Sequence, residues 1–231
     1  MKKISETIVT LTKYANINEA GLEAIESGTI TPFILPDNLK QRFNVSMLFE
    51  TTTNYQQNII EPLEATEKET DINLIIAGRD YPLHATILEA TFSEIFNFDR
   101  ATIAVYLLGL ASAELMLNEF CFDWLLFDKG NLLITAEVPQ KLINTRKKLE
   151  VSYKDFGFDK VLLLNNIFHA TISRMVRLPA IESTKENALS IYKEKVCAMI
   201  ENIKDPLKFR VCGIHGGTAY ALLNTKVKTQ I

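Results

Sequence analysis

The sequence predicts an α+β or antiparallel-rich α/β fold rather than a doubly wound parallel sheet. Strand-like and helix-like segments alternate along the chain. Many of the strand-like segments are joined by short turns such as "GRDY" and "DKGN", which suit hairpins better than crossover helices. A chain of 231 residues that is 47% hydrophobic can bury a sizeable core without disulfides.

Residues 1–42 carry Gly28, Pro32 and Pro36 without a strong period and read as an N-terminal extension, packed but peripheral. Residues 43–231 read as the main domain. It opens with the strand "FNVSMLFE". "TNYQQNIIEPLEATEKE" follows as a helix, with Thr53 and Gln56 as a capping box, Ile59, Ile60 and Leu63 as an apolar stripe, and Pro62 as a kink or stop. "INLIIA" is a short apolar run and reads as a buried strand, "GRDY" as a turn and "PLHATILEA" as the next strand. Thr91 and Glu94 make a second capping box, opening a helical region that runs through "ATIAVYLLGLASA" to about Leu117. "FCFDWLLF", "DKGN" and "LLITAEV" read as a hairpin.

The second half repeats this order loosely. "PQKLINTRKKLEVSYKDFG" is a helix with Pro139 at its start. Its basic run "NTRKKLEVSYK" reads as a solvated face. "VLLLNNIFHATISRMVRL" is a strand region. Ser183 and Glu186 make a capping box for a helix to about Ile203, whose Leu189, Tyr192, Val196, Met199 and Ile203 step by three and four. "LKFRVCGI" is a closing strand and "HGGT" a turn, with His215 at the surface.

Net charge is −3 with a pI near 5.7, so nothing in the bulk charge marks a duplex-binding platform. A small anionic ligand stays compatible, because local donors decide that. Cys121, Cys197 and Cys212 are odd in number and form no CxxC pair. A disulfide framework or zinc knuckle is not expected; the three read as small core residues in a reducing compartment, the cytoplasm. The first twenty residues hold no apolar run long enough for a signal peptide, and the longest apolar stretch, 13 residues, is shorter than the roughly 20 a membrane span needs.

The informative pattern is a repeat. Two of the three histidines carry the same tail, His84–Ala85–Thr86–Ile87 and His169–Ala170–Thr171–Ile172. Alternate strand residues face opposite sides, so Leu83, Ala85 and Ile87 share one face and His84 and Thr86 the other. Phe168, Ala170 and Ile172 oppose His169 and Thr171 in the same way. Each strand thus has an apolar underside and projects a His–Thr pair, about 7 Å from Cα to Cα, that can reach one phosphate-sized group. Two imidazoles in one cleft suit paired acid–base work on a phosphodiester, with the threonine hydroxyls donating to non-bridging oxygens. Zinc binding is weaker chemistry here, since no spaced carboxylate or cysteine accompanies either motif. Structural histidines in a coincidental repeat are the remaining alternative.

"LHATIL" and "FHATISR" resemble the 2H phosphoesterase superfamily, defined by two H-x-T motifs, and in particular its LigT-like, cyclic-phosphodiesterase-like members. Arg174 matches the arginine that often follows the second motif there. The match covers about residues 43–215. The resemblance implies a bilobal, pseudo-twofold α+β fold, with two antiparallel sheets flanking a central cleft and helices outside. It implies metal-independent hydrolysis, without a cofactor, of 2′,3′-cyclic phosphates or of 2′–5′ or 3′–5′ phosphodiesters of RNA ends or small nucleotides. By motif matching, His84, Thr86, His169 and Thr171 are the catalytic candidates; His169 is taken as base and His84 as acid for hydrolysis, an assignment the sequence leaves open to reversal. Arg174, Tyr81 and Tyr153 are candidate substrate contacts, the tyrosines (with Phe168) as base platforms. By strand parity Arg174 points away from His169 unless the strand ends or bulges first. A nucleotide or RNA-end binding module using the same cleft without turnover is the alternative function.

Overall fold

The computed structural model describes residues 10–34, 42–91, 108–155, 160–162 and 167–218. Its elements in chain order are α1 (Thr10–Glu26), β1 (Arg42–Phe49), α2 (Thr53–Tyr55), a π-turn (Gln56–Ile60), α3 (Glu61–Thr70), β2 (Asn73–Ile76), β3 (His84–Thr91) and α4 (108–115). There follow β4 (Glu119–Phe122), β5 (Trp124–Asp128), β6 (Asn131–Ala136), α5 (Gln140–Asp155), β7 (Lys160–Leu162), β8 (Phe168–Arg177), α6 (Glu182–Asn202) and β9 (Leu207–Thr218). The fold is α+β. Sheet A has the order β4-β9-β1-β3-β7 and sheet B the order β2-β8-β6-β5, and every pairing in both is antiparallel.

The two sheets meet through aromatic side chains. Phe49, Phe120, Phe122 and Phe209 of sheet A gather around Phe168 of sheet B, with the Phe122 and Phe168 rings stacked at 4.7 Å. Phe168 is fully buried in this cluster, which makes it packing and not a base platform. Helices cover the outer faces. Leu108 of α4 abuts Gly216 of β9, α5 lies on β3, and Tyr192 of α6 meets Phe127 of β5 edge-on.

Several local expectations change, each for a physical reason. Asp123 separates β4 from β5, so "FCFDWLLF" is two strands in different sheets. Burial alternates along β4, which has one wet face, and is continuous across Trp124–Phe127, which is covered on both. "VLLLNNIFHATISRMVRL" likewise splits between β7 of sheet A and β8 of sheet B. "HGGT" is not a turn: β9 runs through it, paired with β1 as far as Thr218. Thr52, not Thr53, caps the first helix of the main domain, its hydroxyl accepting from the Tyr55 N–H at 3.2 Å. The helix widens to a π-turn just before Pro62, which has no N–H to return to the Asn58 carbonyl. α6 starts at Glu182 with Ile181 as its uncapped N-terminal residue, so Ser183 and Glu186 form no capping box. Its Leu189, Tyr192, Val196 and Met199 are buried as the period requires. Cys121 and Cys212 are exposed, Cys197 is half-buried, and all three are free thiols. Glu94 and most of the apolar stretch after it lie outside the described residues; α4 is the part that is described.

The N-terminal helix has a defined berth. Tyr14 and Ile17 lie over Trp124, Leu126 and Leu133 as a small separate apolar cluster. α1 then crosses the free edge of β5, where Asn18 Oδ1 accepts the Phe127 N–H at 2.9 Å. Gly21 is required at the crossing, because a Cβ there would sit 2.5 Å from the Phe127 carbonyl oxygen. Beyond it α1 reaches α6. In this way α1 both blunts an exposed strand edge and covers apolar side chains.

Candidate active site at the join of the two sheets

β3 and β8, the strands that carry the repeated tetrapeptide, lie against one another where the sheets meet. The register explains why four residues repeat and not three. In β3, Ser46 pairs with Thr86 but Val45 pairs with Leu88, so Ile87 is an extra residue, a β-bulge. In β8, Leu133 pairs with Thr171 but Leu132 pairs with Ser173, so Ile172 is the extra residue. Ile87 and Ile172 are both fully buried. The two halves of the site are thus built alike: His and Thr on one face, a bulged isoleucine in the core on the other.

The bulge also settles the direction of Arg174. Asn131, Leu133 and Thr135 alternate on one face of β6 and pair with Arg174, Thr171 and His169 respectively. The extra residue restores the phase, so Arg174 shares the face of both motif residues. Its Nη2 lies 3.3 Å from Thr171 Oγ1, its Nη1 lies 3.2 Å from Asn131 Oδ1, and its guanidinium sits over the Phe33 ring at 4.6 Å. Phe33 belongs to the N-terminal segment, which therefore borders the site. In β3 the equivalent position is Glu89, paired with Asn44.

A braced turn positions His84. Gly78 begins it at a φ of +88°, a conformation that needs glycine. Asp80 Oδ2 accepts the Ile76 N–H at 2.8 Å, and Arg79 binds Asp80, Glu67 and the Leu74 carbonyl. Tyr81 follows, only 4% exposed; its hydroxyl donates to the Thr171 carbonyl at 3.0 Å, and its ring meets His84 edge-on at 5.8 Å. Tyr81 thereby ties the second motif to the loop that delivers the first. His84 Nδ1 is 2.9 Å from the Pro82 carbonyl oxygen, which can only accept, so Nδ1 carries the hydrogen and, in the neutral ring, Nε2 is the nitrogen with the free lone pair.

Burial sets the charge of the site. His84 is held below its ordinary pKa mainly by desolvation; the Pro82 hydrogen bond opposes this, and Arg174 and His215 add to it. His169 is pushed down further, to about 4, by desolvation, then by the Arg174 and Arg146 cations and by His84. His84 and His169 are therefore close enough to sense each other, as are both motifs and Arg174.

Three participants were not legible as such in the sequence. Arg146 comes from the basic run of α5 yet is fully buried, and it donates to the Ile87 carbonyl at 2.8 Å and the Thr86 carbonyl at 3.2 Å. It thus supplies donors to two carbonyls at the β3 bulge. Lys147 and Lys148 beside it are exposed, as a solvated face requires. Tyr14 of α1 is buried with its hydroxyl at the Phe168 backbone, 2.9 Å from the N–H and 3.2 Å from the carbonyl oxygen, one residue before His169. His215 lies on the same face of sheet A as the first motif through the pairs His215–Ser46 and Ser46–Thr86, and it is half-buried. The backbone of Tyr153 is in α5; its side chain lies outside the described residues. Among the described residues, no three His, Cys, Asp or Glu side chains gather closely enough to hold a metal ion.

Neither a family model nor a curated protein sequence matches the chain. Two solved structures of Usb1 from Kluyveromyces marxianus are similar to it. One gives a TM-score of 0.38 at 9% identity, over 77% of this chain and 97% of that one. The other, with uridine monophosphate, gives 0.41 at 9% identity, over 77% and 98%.

Proposed function

We propose that the chain is a phosphodiesterase of the 2H type. In this reading it hydrolyses 2′,3′-cyclic phosphates, or 2′–5′ or 3′–5′ phosphodiesters of RNA ends or small nucleotides, by two-histidine acid–base catalysis without a metal. One observation carries the proposal: two His–Thr pairs, each set by a bulge at the same offset, lie on strands that pack together at one join between two sheets. The free thiols accord with a reducing, cytoplasmic setting.

Neutral His169, the more strongly depressed imidazole, takes a proton from the attacking water. The water oxygen bonds to phosphorus as the bond to the 2′ or 3′ oxygen breaks, and protonated His84 gives its proton to that leaving oxygen. The Pro82 carbonyl supports the His84 cation, and the bound phosphate anion raises the pKa of both rings, which favours that cation when substrate is present. Thr86, Thr171 and Arg174 face the non-bridging oxygens. Proton exchange with solvent resets the pair.

That both rings are held neutral in the free protein supports a second reading, a nucleotide or RNA-end binding module without turnover. The assay that separates the two incubates the protein with a 2′,3′-cyclic mononucleotide and a 2′–5′ dinucleotide, with and without EDTA. Hydrolysis that survives EDTA, and that His84→Ala or His169→Ala lowers by about a hundredfold or more with little change in melting, is the expected result. Binding without turnover selects the module. Activity abolished by EDTA refutes both the mechanism and the role of the histidines in it.

A further inference from the structure

β9 presents Gly213, His215 and Gly217 in alternation, paired with Leu48, Ser46 and Asn44 of β1. Those in turn pair with His84, Thr86 and Glu89 of β3. Rows of side chains therefore run from the first motif across three strands, about 4.8 Å apart from strand to strand. In this patch Asn44 Oδ1, Ser46 Oγ and His215 Nε2 are all buried and have no hydrogen-bond partner, and Ser46 is 0% exposed. Unpaired buried polar atoms are uncommon in folded proteins, and three on adjacent strands beside a candidate site need a reason. Gly213 and Gly217 flank His215 in this alternation, and glycine within a strand often marks a place where a ligand or another backbone comes close.

We infer that this patch is a second subsite, which takes the neutral nucleoside part of the substrate, its sugar hydroxyls and base edge, while the phosphate sits between His84 and His169. This rests on the function proposed above. The chemistry of the patch selects the ligand class. Asn44 Oδ1 only accepts, the Ser46 hydroxyl donates and accepts, and a neutral imidazole offers one of each. Burial holds His215 neutral. Such a set pairs with hydroxyl and amino groups and offers no cation to a second phosphate. Thr86, at the end of the Ser46 row, is the point where the two subsites join.

The test uses the full chain with uridine 3′-monophosphate and inorganic phosphate as probes, titrated calorimetrically and followed by the imidazole NMR signals. Ser46→Ala and His215→Ala should each weaken nucleotide binding by about tenfold, as one hydrogen bond to a neutral partner warrants, and leave phosphate binding within twofold. In turnover they should raise KM with little change in kcat. Ser46→Ala, a near-isosteric change that removes an unpaired hydroxyl, keeps the test valid if His215→Ala folds poorly. Equal losses for both probes, or no loss for either, overturn the subsite. If the wild-type chain turns over cyclic phosphates while these variants keep its KM, only the subsite fails. If the wild-type chain binds neither probe, the subsite and the function beneath it fail together.

Discussion

Replacing Arg146 by methionine should damage the fold and retune the site at once. The guanidinium is fully buried and donates to the Ile87 and Thr86 carbonyls at 2.8 and 3.2 Å. Methionine fills much of the space and donates nothing, so two buried carbonyls lose their partner. Each orphaned group costs about 1–3 kcal/mol, and relief from burying a charge offsets part of that, which leaves a net loss of about 2–4 kcal/mol. Urea unfolding reads this directly against a total of roughly 5–15 kcal/mol for a domain. The second effect is electrostatic. Arg146 is one of the cations that hold His169 down to about 4, so its removal raises that value. The chain has only three histidines, so their NMR titrations can be resolved and assigned. Arg146→Lys keeps the charge without the fork; it should lose stability but leave the His169 titration near that of the wild type. A methionine variant that unfolds within ~0.5 kcal/mol of the wild type, and whose His169 titrates where it did before, refutes the role given to Arg146.

Stability should fall as pH drops below the ordinary histidine range. His84, His169 and His215 all have depressed values in the folded chain, so unfolding takes up protons in that range; the stabilisation is present above about 6.5 and for His169 is lost down to about 4. Each histidine contributes a slope of at most ~1.4 kcal/mol per pH unit, measurable by denaturation at stepped pH. In turnover, kcat/KM should peak on the acid side of 6.5, between the His169 and His84 ionisations of the free chain, and an optimum above pH 8 would refute acid catalysis by either imidazole. Tyr14→Ala should cost about 3–5 kcal/mol and shift the emission of Trp124, the only tryptophan, to the red; an unchanged spectrum would mean that α1 does not cover it. Arg174→Ala should raise KM for a phosphodiester more than it lowers kcat, since Arg174 bears on Thr171 and, in the proposed function, holds the anion and moves no proton.

Much of this site could be read from the chain because it is local. Strand periodicity put His84 with Thr86 and His169 with Thr171, and the repeat said that the two settings were alike. What local pattern could not reach is set by pairing. The direction of Arg174 hangs on one unpaired residue, Ile172, and a bulge leaves no mark in a two-residue period. His215 looked like part of a turn because glycines flank it, whereas a strand that must leave room on one face also uses glycine. Arg146 sits among lysines in a run that reads as solvated, and only the β3 bulge shows what a buried cation is for. The sheet switches at Asp123 and between β7 and β8 were hidden for a similar reason: a continuous apolar run does not say which layer it enters.

The position of β9 has a consequence for how the chain is made. This strand, residues 207–218, is inserted between β1 and β4, so sheet A has a gap in its middle until the ribosome has passed that point. α1 emerges before the strands it packs on and must wait for its seat, since Tyr14 bonds to Phe168, 154 residues later. Contacts this distant in sequence form slowly, and in the interval the helix and the open sheets are exposed together. The nascent chain is therefore at its most vulnerable just before synthesis of β9, and a holdase that shields apolar strands would be needed most in that window.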